Sequence, residues 1–247
     1  MQVRKMRNRQ TGERKLRKIR CLIKEEIMGL PVLIYGKSGS GKSRSLKFFD
    51  EDEIVLLNTE KKELPFRKRF KKTGSSDDIG KIITTINQNP EKVFVIDDAG
   101  YIMTHLFMAN HRNKKGNASF EMYDDIADAM YGLVKMVKTE VKDPEKIVYI
   151  IFHEDTDDFG VSRLRTIGKQ LDRKVCLEGM VTICIRCMSE NGKHFFRTVT
   201  DGSDITKTPE EMFDEPEIEN NLKLVDDTIR NFYGWKKYKS MEEKKND

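Results

Sequence analysis

The chain has 247 residues, which is enough for one sizeable α/β domain. Hydrophobic residues make up 37% of it and charged residues 35%. Because the apolar residues cluster in segments, we expect a folded core. No apolar run is long enough to cross a membrane, the basic N-terminus lacks the apolar core of a signal peptide, and four cysteines do not indicate a disulfide framework. We therefore expect a cytoplasmic protein without a membrane partner.

The net charge of +5 is unevenly distributed along the chain. Residues 1–27 contain ten Lys or Arg and three Glu, so this segment alone carries +7 and the remainder is slightly acidic. Any attraction to nucleic acid must therefore come from local patches. We divide the chain into a basic N-terminal extension at 1–27, a folded domain at 28–234, and a charged, disordered tail at 235–247.

Hydrophobic patterning predicts six strands and three helices. The strands lie within 28–35 and at 54–57, 93–96, 147–152, 180–186 and 194–199. The helices begin near 78, with Asp77 or Asp78 as the cap, and lie at 120–137 and 222–233. Residues 190–193 contain Asn-Gly and indicate a hairpin. Apolar strands that alternate with helices are typical of an α/β fold with a mostly parallel sheet and helices on both faces.

The first predicted strand leads into a match to the phosphate-binding loop G-x-x-x-x-G-K-[ST]. Its residues are Gly36, Lys37, Ser38, Gly39, Ser40, Gly41, Lys42 and Ser43. The glycines let backbone N–H groups curl around phosphate oxygens, and a helix that opens near Lys42 adds its positive N-terminal end. Lys42 is expected to reach the β- and γ-phosphates, and the Ser43 hydroxyl to bind Mg²⁺. These residues, together with Arg44, are predicted to bind the nucleotide of a P-loop NTPase.

The predicted strand 93–96 runs directly into two carboxylates, Asp97 and Asp98. In a P-loop protein the carboxylate at the end of this strand lies beside the phosphate loop and holds Mg²⁺, usually through water, and we assign Asp97 to this role. Asp98 either helps to orient water or caps the helix that follows. The chain has no Asn-Lys-x-Asp element for guanine, which favours ATP over GTP.

Two other predicted strands end in polar residues: Asn58, Thr59 and Glu60 follow strand 54–57, and His153 follows strand 147–152. Here the sequence resembles the RecA-like ATPases. The resemblance implies that Glu60 polarises the attacking water, because a carboxylate can accept a proton from water aimed at the γ-phosphate. It also implies that His153 takes the place of a Gln or Asn that senses the γ-phosphate, since an imidazole N–H can donate to phosphate.

From 28 to 234 the chain resembles a narrower group, the RecA-like ATPases of tailed phages that are linked to single-strand annealing and recombination. This resemblance rests on the phosphate loop and on residues 58–60, 64–66, 168–171, 178–180, 206–209 and 212–213. It implies a homo-oligomeric ring or filament with ATP between neighbours, in which Lys207 of one subunit touches the γ-phosphate held by the next. It also implies phage single-strand-binding or replication proteins as partners, in the cytoplasm of the host.

Three segments are candidates for contact with single-stranded DNA. Segment 61–72 holds seven basic residues interleaved with Phe66 and Phe70, so it can hold phosphates and stack on bases, although such a charge run is also typical of a solvated face. Loop 154–165 contains Arg163 and Arg165, but also three aspartates that repel phosphate. The basic extension 1–27 is the third candidate.

We interpret the protein as an Mg²⁺-dependent ATPase that acts on single-stranded DNA in phage recombination or replication. The predicted catalytic residues are Lys42, Glu60, Asp98, His153 and Lys207. Two alternatives remain open. One is a nucleotide kinase, in which Arg163 and Arg165 form a lid over the acceptor. The other is a non-catalytic interaction module that is gated by nucleotide.

Overall fold

The computed structural model of the chain describes residues 28–112, 117–168, 171 and 175–235. The predicted extension 1–27, the tail beyond Trp235, and Lys169 and Gln170 of the phage-group resemblance lie outside these residues. The described strands are β1 Leu30–Gly36, β2 Ile54–Asn58, β3 Lys72–Gly74, β4 Val93–Asp97, β5 Ile147–Thr156, β6 Ser162–Leu164, β7 Ile183–Glu190, β8 Lys193–Arg197 and β9 Glu217–Glu219. The α-helices are α1 Ile79–Gln88, α2 Gly100–Asn110, α3 Asn117–Glu140 and α4 Leu222–Phe232, and two 3₁₀ helices lie at Ser43–Phe48 and Glu178–Met180.

The strands form one mixed sheet in the order β3–β2–β4–β5–β1–β7–β8–β9, with β6 beside β5. Neighbours from β3 to β7 are parallel, whereas the β7–β8, β8–β9 and β5–β6 pairs are antiparallel. The carboxyl ends of parallel strands meet at one edge of a sheet, so the segments that follow β1, β2, β4 and β5 come together there. In particular, β5 lies between the strand of the phosphate loop and β4, the strand that ends at Asp97.

Helices cover both faces of the sheet, and this confirms the predicted α/β fold. On one face α1, α2 and α3 pack their apolar residues onto the strands, as shown by buried Ile82, Ile102 and Met130. On the other face the 3₁₀ helix after β1 and α4 form a second core, which includes Leu46 and Ile229. The strands between the two cores have buried residues throughout, as expected for a parallel sheet covered on both sides.

Most predicted elements are confirmed, including the hairpin at 190–193 and the cap of α1, where Asp78 accepts a hydrogen bond from the Lys81 amide at 3.0 Å. The prediction missed β3, β6 and β9, because strands of three residues are too short to show a periodic pattern. It also missed helix α2. This helix has apolar residues around its whole circumference and buries only Ile102 and Met103, so it lacks the amphipathic stripe that periodicity detects.

The helix expected near Lys42 is shorter than predicted: a six-residue 3₁₀ helix that ends where Phe49 becomes extended. In a 3₁₀ helix, residues three apart share a face, and Leu46 and Phe49 are both fully buried in this way. The Lys68 ammonium closes the end by donating to the carbonyls of Lys47 and Phe49. Within the described residues, no helix is both long and apolar enough to cross a membrane.

Candidate nucleotide site and basic groove

The phosphate loop begins at the carboxyl end of β1, and its glycines are required by geometry. A Cβ on Gly36 would lie 2.2 Å from the Cys187 carbonyl oxygen, and Gly41 has a φ of +104°. Lys42 folds back across the loop, where its ammonium donates to the carbonyls of Gly36 and Lys37 at 2.8 Å each. Burial lowers the pKa of Lys42, while nearby acidic groups oppose this change. An ammonium held in this way is poised for the phosphates of a nucleotide.

The loop is supported from behind by residues of the neighbouring strands, which the sequence analysis did not identify. The Ser40 carbonyl accepts hydrogen bonds from the Cys187 thiol at 3.2 Å and from the His194 ring at 2.8 Å. Asn220 in turn donates to the Cys187 sulfur and accepts from the Arg44 guanidinium. Arg44, which was predicted to bind the nucleotide, is therefore directed at this support. Three of these four contacts connect residues more than 140 positions apart, and the Asn220–Cys187 contact connects residues 33 positions apart, so no local sequence signal indicates them.

Ser43 and Asp97 meet as the phosphate-loop motif predicts. The Ser43 hydroxyl donates to Asp97 Oδ2 at 2.8 Å, and Asp97 is only 4% exposed. Its other oxygen, Oδ1, is buried and has no hydrogen-bond partner among the described residues. Burial raises the pKa of Asp97 to about 6, and the charge of Asp98 adds to the effect. A buried carboxylate oxygen without a partner, beside a hydroxyl, fits the oxygen ligands that Mg²⁺ prefers.

Asp98 does not cap the following helix. The N-cap of α2 is Ala99, and Asp98 adopts a left-handed backbone conformation with a φ of 57°. This conformation turns its side chain towards Lys62, at 2.7 Å, and His153, at 3.1 Å. Burial alone would raise the pKa of Asp98, but hydrogen bonds from His153 and Lys62 outweigh it and hold the pKa at about 2. The helix-capping interpretation of Asp98 is therefore wrong.

His153 joins Asp98 to the phosphate loop. It pairs with Gly36 in the β1–β5 register, and its Nδ1 lies 3.5 Å from the Lys42 ammonium. An ammonium can only donate, so Nδ1 accepts and Nε2 carries the proton that faces Asp98. In this arrangement the imidazole N–H is directed at a carboxylate. Donation to a γ-phosphate, as the RecA-like resemblance implies, requires His153 to exchange that partner.

Glu60 lies two residues beyond the end of β2, where Asn58 pairs with Asp97 of β4. Its Oε1 contacts Nε2 of His105 at 2.7 Å, and the other ring nitrogen of His105 lies 3.0 Å from an Asp77 oxygen. His105 was missed because it belongs to α2, the helix that periodicity did not reveal. The structure thus brings Glu60, Asp97, Asp98 and the phosphate loop to one edge of the sheet.

Residues 28–210 match a family described as AAA domain. The chain belongs to the AAA domain family. Membership implies nucleotide binding, typically with Mg²⁺, and indicates an ATPase, which agrees with the placement of the phosphate loop, Ser43 and Asp97. A comparison with curated proteins found no match.

Lys207 of this AAA domain lies away from its own phosphate loop. Its backbone exchanges hydrogen bonds with Cys184 of β7 at 2.8 and 2.9 Å. Cys184 pairs with Leu33, three residues before Gly36 and therefore towards the middle of the sheet. Among the predicted catalytic residues, Lys207 is the one that the fold does not bring to the carboxyl edge.

A basic groove opens beside β2, and we use that name for the cavity of about 600 Å³ lined by parts of segment 61–75. Its basic lining residues are Lys61, Lys62, Arg67, Lys68 and Arg69. The two aromatic residues of the segment pack edge to face with ring centroids 6.3 Å apart. Phe70 is 6% exposed and belongs to the core, so it cannot stack on bases as the sequence suggested. Phe66 is half-buried at the groove wall.

The basic residues of this AAA domain's groove segment differ in what they contact. Lys68 is engaged with backbone carbonyls, and Lys72 pairs with the buried carboxylate of Glu91. Lys61, Arg67 and Arg69 are exposed, and the one ion pair described among them joins Arg69 to the equally exposed Glu63 at 4.0 Å. Exposed ion pairs of that length contribute little to stability. These three side chains are therefore available to an anionic ligand.

Loop 154–165 of the AAA domain is a β-hairpin rather than an open basic loop. β5 and β6 pair through Glu154 and Leu164, and Asp157 accepts hydrogen bonds from the Phe159 and Val161 amides across the turn. Asp157 also binds the Arg163 guanidinium at 2.8 Å. Arg163 is thus paired with a carboxylate of its own hairpin, which weakens its part in both the DNA-loop and the kinase-lid interpretations, whereas Arg165 is exposed.

Proposed function

We propose that this AAA domain is an Mg²⁺-dependent ATPase that acts on single-stranded DNA as an oligomer. The observation that carries the proposal is the position of the basic groove. The groove is lined by the residues that follow β2, the same segment that supplies Glu60, so a polyanion in it would lie next to the nucleotide site.

The charge and shape of the groove favour nucleic acid over a small acceptor. Lys61, Arg67 and Arg69 line the groove with exposed positive charge, and Phe66 supplies a half-exposed ring. Spaced cations with an aromatic surface are what sequence-independent binding of single strands requires. The role in phage recombination or replication, with single-strand-binding or replication proteins as partners, rests on the resemblance to the phage RecA-like group.

The ATPase part of the proposal is tested by product analysis with the full-length protein. We expect ADP and inorganic phosphate from Mg-ATP, with turnover stimulated by single-stranded oligo-dT and absent when Mg²⁺ is chelated. ADP that appears only together with a phosphorylated acceptor would identify a kinase instead. Nucleotide binding without any turnover, with or without DNA, would identify a nucleotide-gated module.

The DNA part is tested by charge reversal at the free cations of the groove. The variant Lys61→Glu/Arg67→Glu/Arg69→Glu should bind labelled oligo-dT more weakly, and each lost phosphate contact should flatten the log–log salt slope by about 0.7. A matched control reverses three exposed lysines elsewhere: Lys135, Lys142 and Lys193. Equal affinities of the two triple variants would show that the groove is not the DNA site.

A further inference from the structure

Lys62 faces the basic groove and the nucleotide site at the same time. Its side chain is 52% exposed and lines the groove. Its ammonium nevertheless lies 2.7 Å from Asp98 Oδ2 and 4.6 Å from the centre of the Tyr101 ring. Among the basic residues that line the groove, it is the one that contacts a carboxylate of the nucleotide site.

The partner of Lys62 is connected in turn to the phosphate loop. Asp98 Oδ1 accepts from His153 Nε2, and His153 Nδ1 accepts from Lys42. The Tyr101 ring under the Lys62 ammonium also packs edge-on against the His153 ring, with centroids 6.0 Å apart. A continuous series of polar contacts thus runs from the groove to the lysine that is predicted to hold the β- and γ-phosphates.

The ammonium of Lys62 has a limited capacity for anions. It carries one positive charge, and in the structure that charge is balanced by Asp98. A nucleic-acid phosphate that enters the groove needs the same charge, and two anions gathered around one ammonium repel each other. Occupation of the groove therefore weakens the Lys62–Asp98 pair, and an intact pair opposes occupation.

We propose that Lys62 couples the groove to the nucleotide site, because a nucleic-acid phosphate and the carboxylate of Asp98 compete for its ammonium group. The inference rests on the proposed function, in which single-stranded DNA occupies the groove. It makes Lys62 a positioning residue: it acts on the nucleotide site through Asp98 and His153. A nucleotide that strengthens or weakens the contact between Asp98 and Lys62 therefore alters the affinity of the groove for DNA. By linkage, bound DNA alters the affinity for the nucleotide by the same factor.

A double-mutant cycle on oligo-dT binding tests the competition without any need for turnover. Asp98→Asn keeps a side chain that tolerates the left-handed backbone at this position. It should tighten DNA binding about twofold to fivefold, the range that corresponds to a partly exposed ion pair. In the Lys62→Met background the same substitution should have almost no effect, because the contested charge is gone. Lys62→Arg, which keeps the charge, should behave like the wild type.

The coupling to nucleotide is measured as the ratio of DNA affinities with and without a non-hydrolysable ATP analogue and Mg²⁺. We expect a ratio that differs from one by about fivefold or more in the wild type, and a ratio close to one in Lys62→Met. Lys61→Met, which removes a neighbouring groove cation that has no carboxylate contact within the described residues, should weaken binding but keep the wild-type ratio.

The failures of the two proposals are distinguishable. Wild-type protein that does not bind oligo-dT would overturn the DNA-binding function and this inference with it. If the wild type binds oligo-dT, two results would overturn the coupling alone and leave the groove as a DNA site. One is an equal effect of Asp98→Asn on DNA affinity in the wild-type and Lys62→Met backgrounds. The other is a ratio of DNA affinities in Lys62→Met that equals the wild-type ratio.

Discussion

The carboxylate of Glu60 is held by a histidine: Oε1 of Glu60 lies 2.7 Å from Nε2 of His105, and His105 is anchored by Asp77 at 3.0 Å. The helix α2 thereby fixes the direction of the side chain that is predicted to polarise water. Within the described residues Oε2 accepts no hydrogen bond, so this oxygen is free to accept one. Glu60 can therefore act as a proton acceptor while His105 keeps it in place.

The first prediction concerns Lys42 in the phosphate loop. Lys42→Ala should abolish ATP turnover and strongly weaken nucleotide binding, because the variant loses the one ammonium that the loop holds at the expected phosphate position. Turnover is measured by phosphate release, and binding by the increase in Tm that a saturating ATP analogue produces. Wild-type turnover in the purified variant would contradict the assignment of the phosphate loop.

The second prediction separates Glu60 from Asp98 as the group that activates water. Glu60→Gln should retain ATP binding and lose most of the hydrolysis, because the amide keeps the shape but is a far weaker proton acceptor. Asp98→Asn should lose less of the hydrolysis, since the Asp98 carboxylate already contacts Lys62 and His153. Both variants are compared by single-turnover kinetics. An inactive Asp98→Asn beside an active Glu60→Gln would reverse the two roles.

The third prediction concerns pH and the buried carboxylate of Asp97. Its pKa is raised to about 6, so without Mg²⁺ the folded protein holds this proton more tightly than the unfolded chain does. The resulting stabilisation is complete below about pH 4 and is lost as the pH rises through about 6. At pH 8 the ionised group therefore costs on the order of 3 kcal/mol. In EDTA, Asp97→Asn should raise Tm at pH 8 by roughly 6 °C or more and change it little at pH 4.

Asp98 provides a matched control of opposite sign for this measurement. Its pKa is lowered to about 2, so its ionised form stabilises the fold above the unfolded-state pKa, and this contribution disappears as the pH falls through about 2. Asp98→Asn should therefore lower Tm at pH 8 in EDTA. A decrease in Tm for Asp97→Asn under the same conditions would show that burial of the ionised Asp97 carboxylate does not destabilise the fold.

The fourth prediction is that the ATPase site is completed by a neighbouring subunit. Lys207 pairs with Cys184, level with Leu33, and is not brought to its own phosphate loop. If Lys207 serves the next subunit, Lys207→Ala should bind ATP without hydrolysing it. Mixing Lys207→Ala with Glu60→Gln creates some interfaces in which every catalytic group is present, so activity should partly return.

The mixing experiment needs a control for simple exchange of subunits. Lys42→Ala mixed with Glu60→Gln should recover little activity. Each of these substitutions disables the nucleotide site of the subunit that carries it, so no site in the mixture has both Lys42 and Glu60. Absence of recovery with Lys207→Ala, together with a monomer by light scattering in the presence of ATP and single-stranded DNA, would contradict the ring or filament and favour the kinase alternative.

Much of the fold follows from local pattern. The phosphate loop, the carboxylate at the end of β4 and the alternation of apolar strands with helices are short-range features, and each of them has a physical reason that operates within about ten residues. They were sufficient to predict the α/β fold and to place Ser43 beside Asp97. In the structure the Ser43 hydroxyl oxygen lies 2.8 Å from Asp97 Oδ2. The helix α2 escaped prediction because its apolar residues lie on all sides and leave no periodic stripe.

The tertiary structure alone decided which partners these side chains have. The sequence identifies Asp98 as a carboxylate after a strand, but its interaction with Lys62 and His153 depends on a positive φ and on three strands meeting at one edge. Likewise, a run of seven basic residues does not reveal that Lys68 closes a helix while Arg67 faces solvent. Charge and motif are properties of the residues in order, whereas hydrogen-bond partners depend on which distant segments the sheet brings within 3 Å of each other.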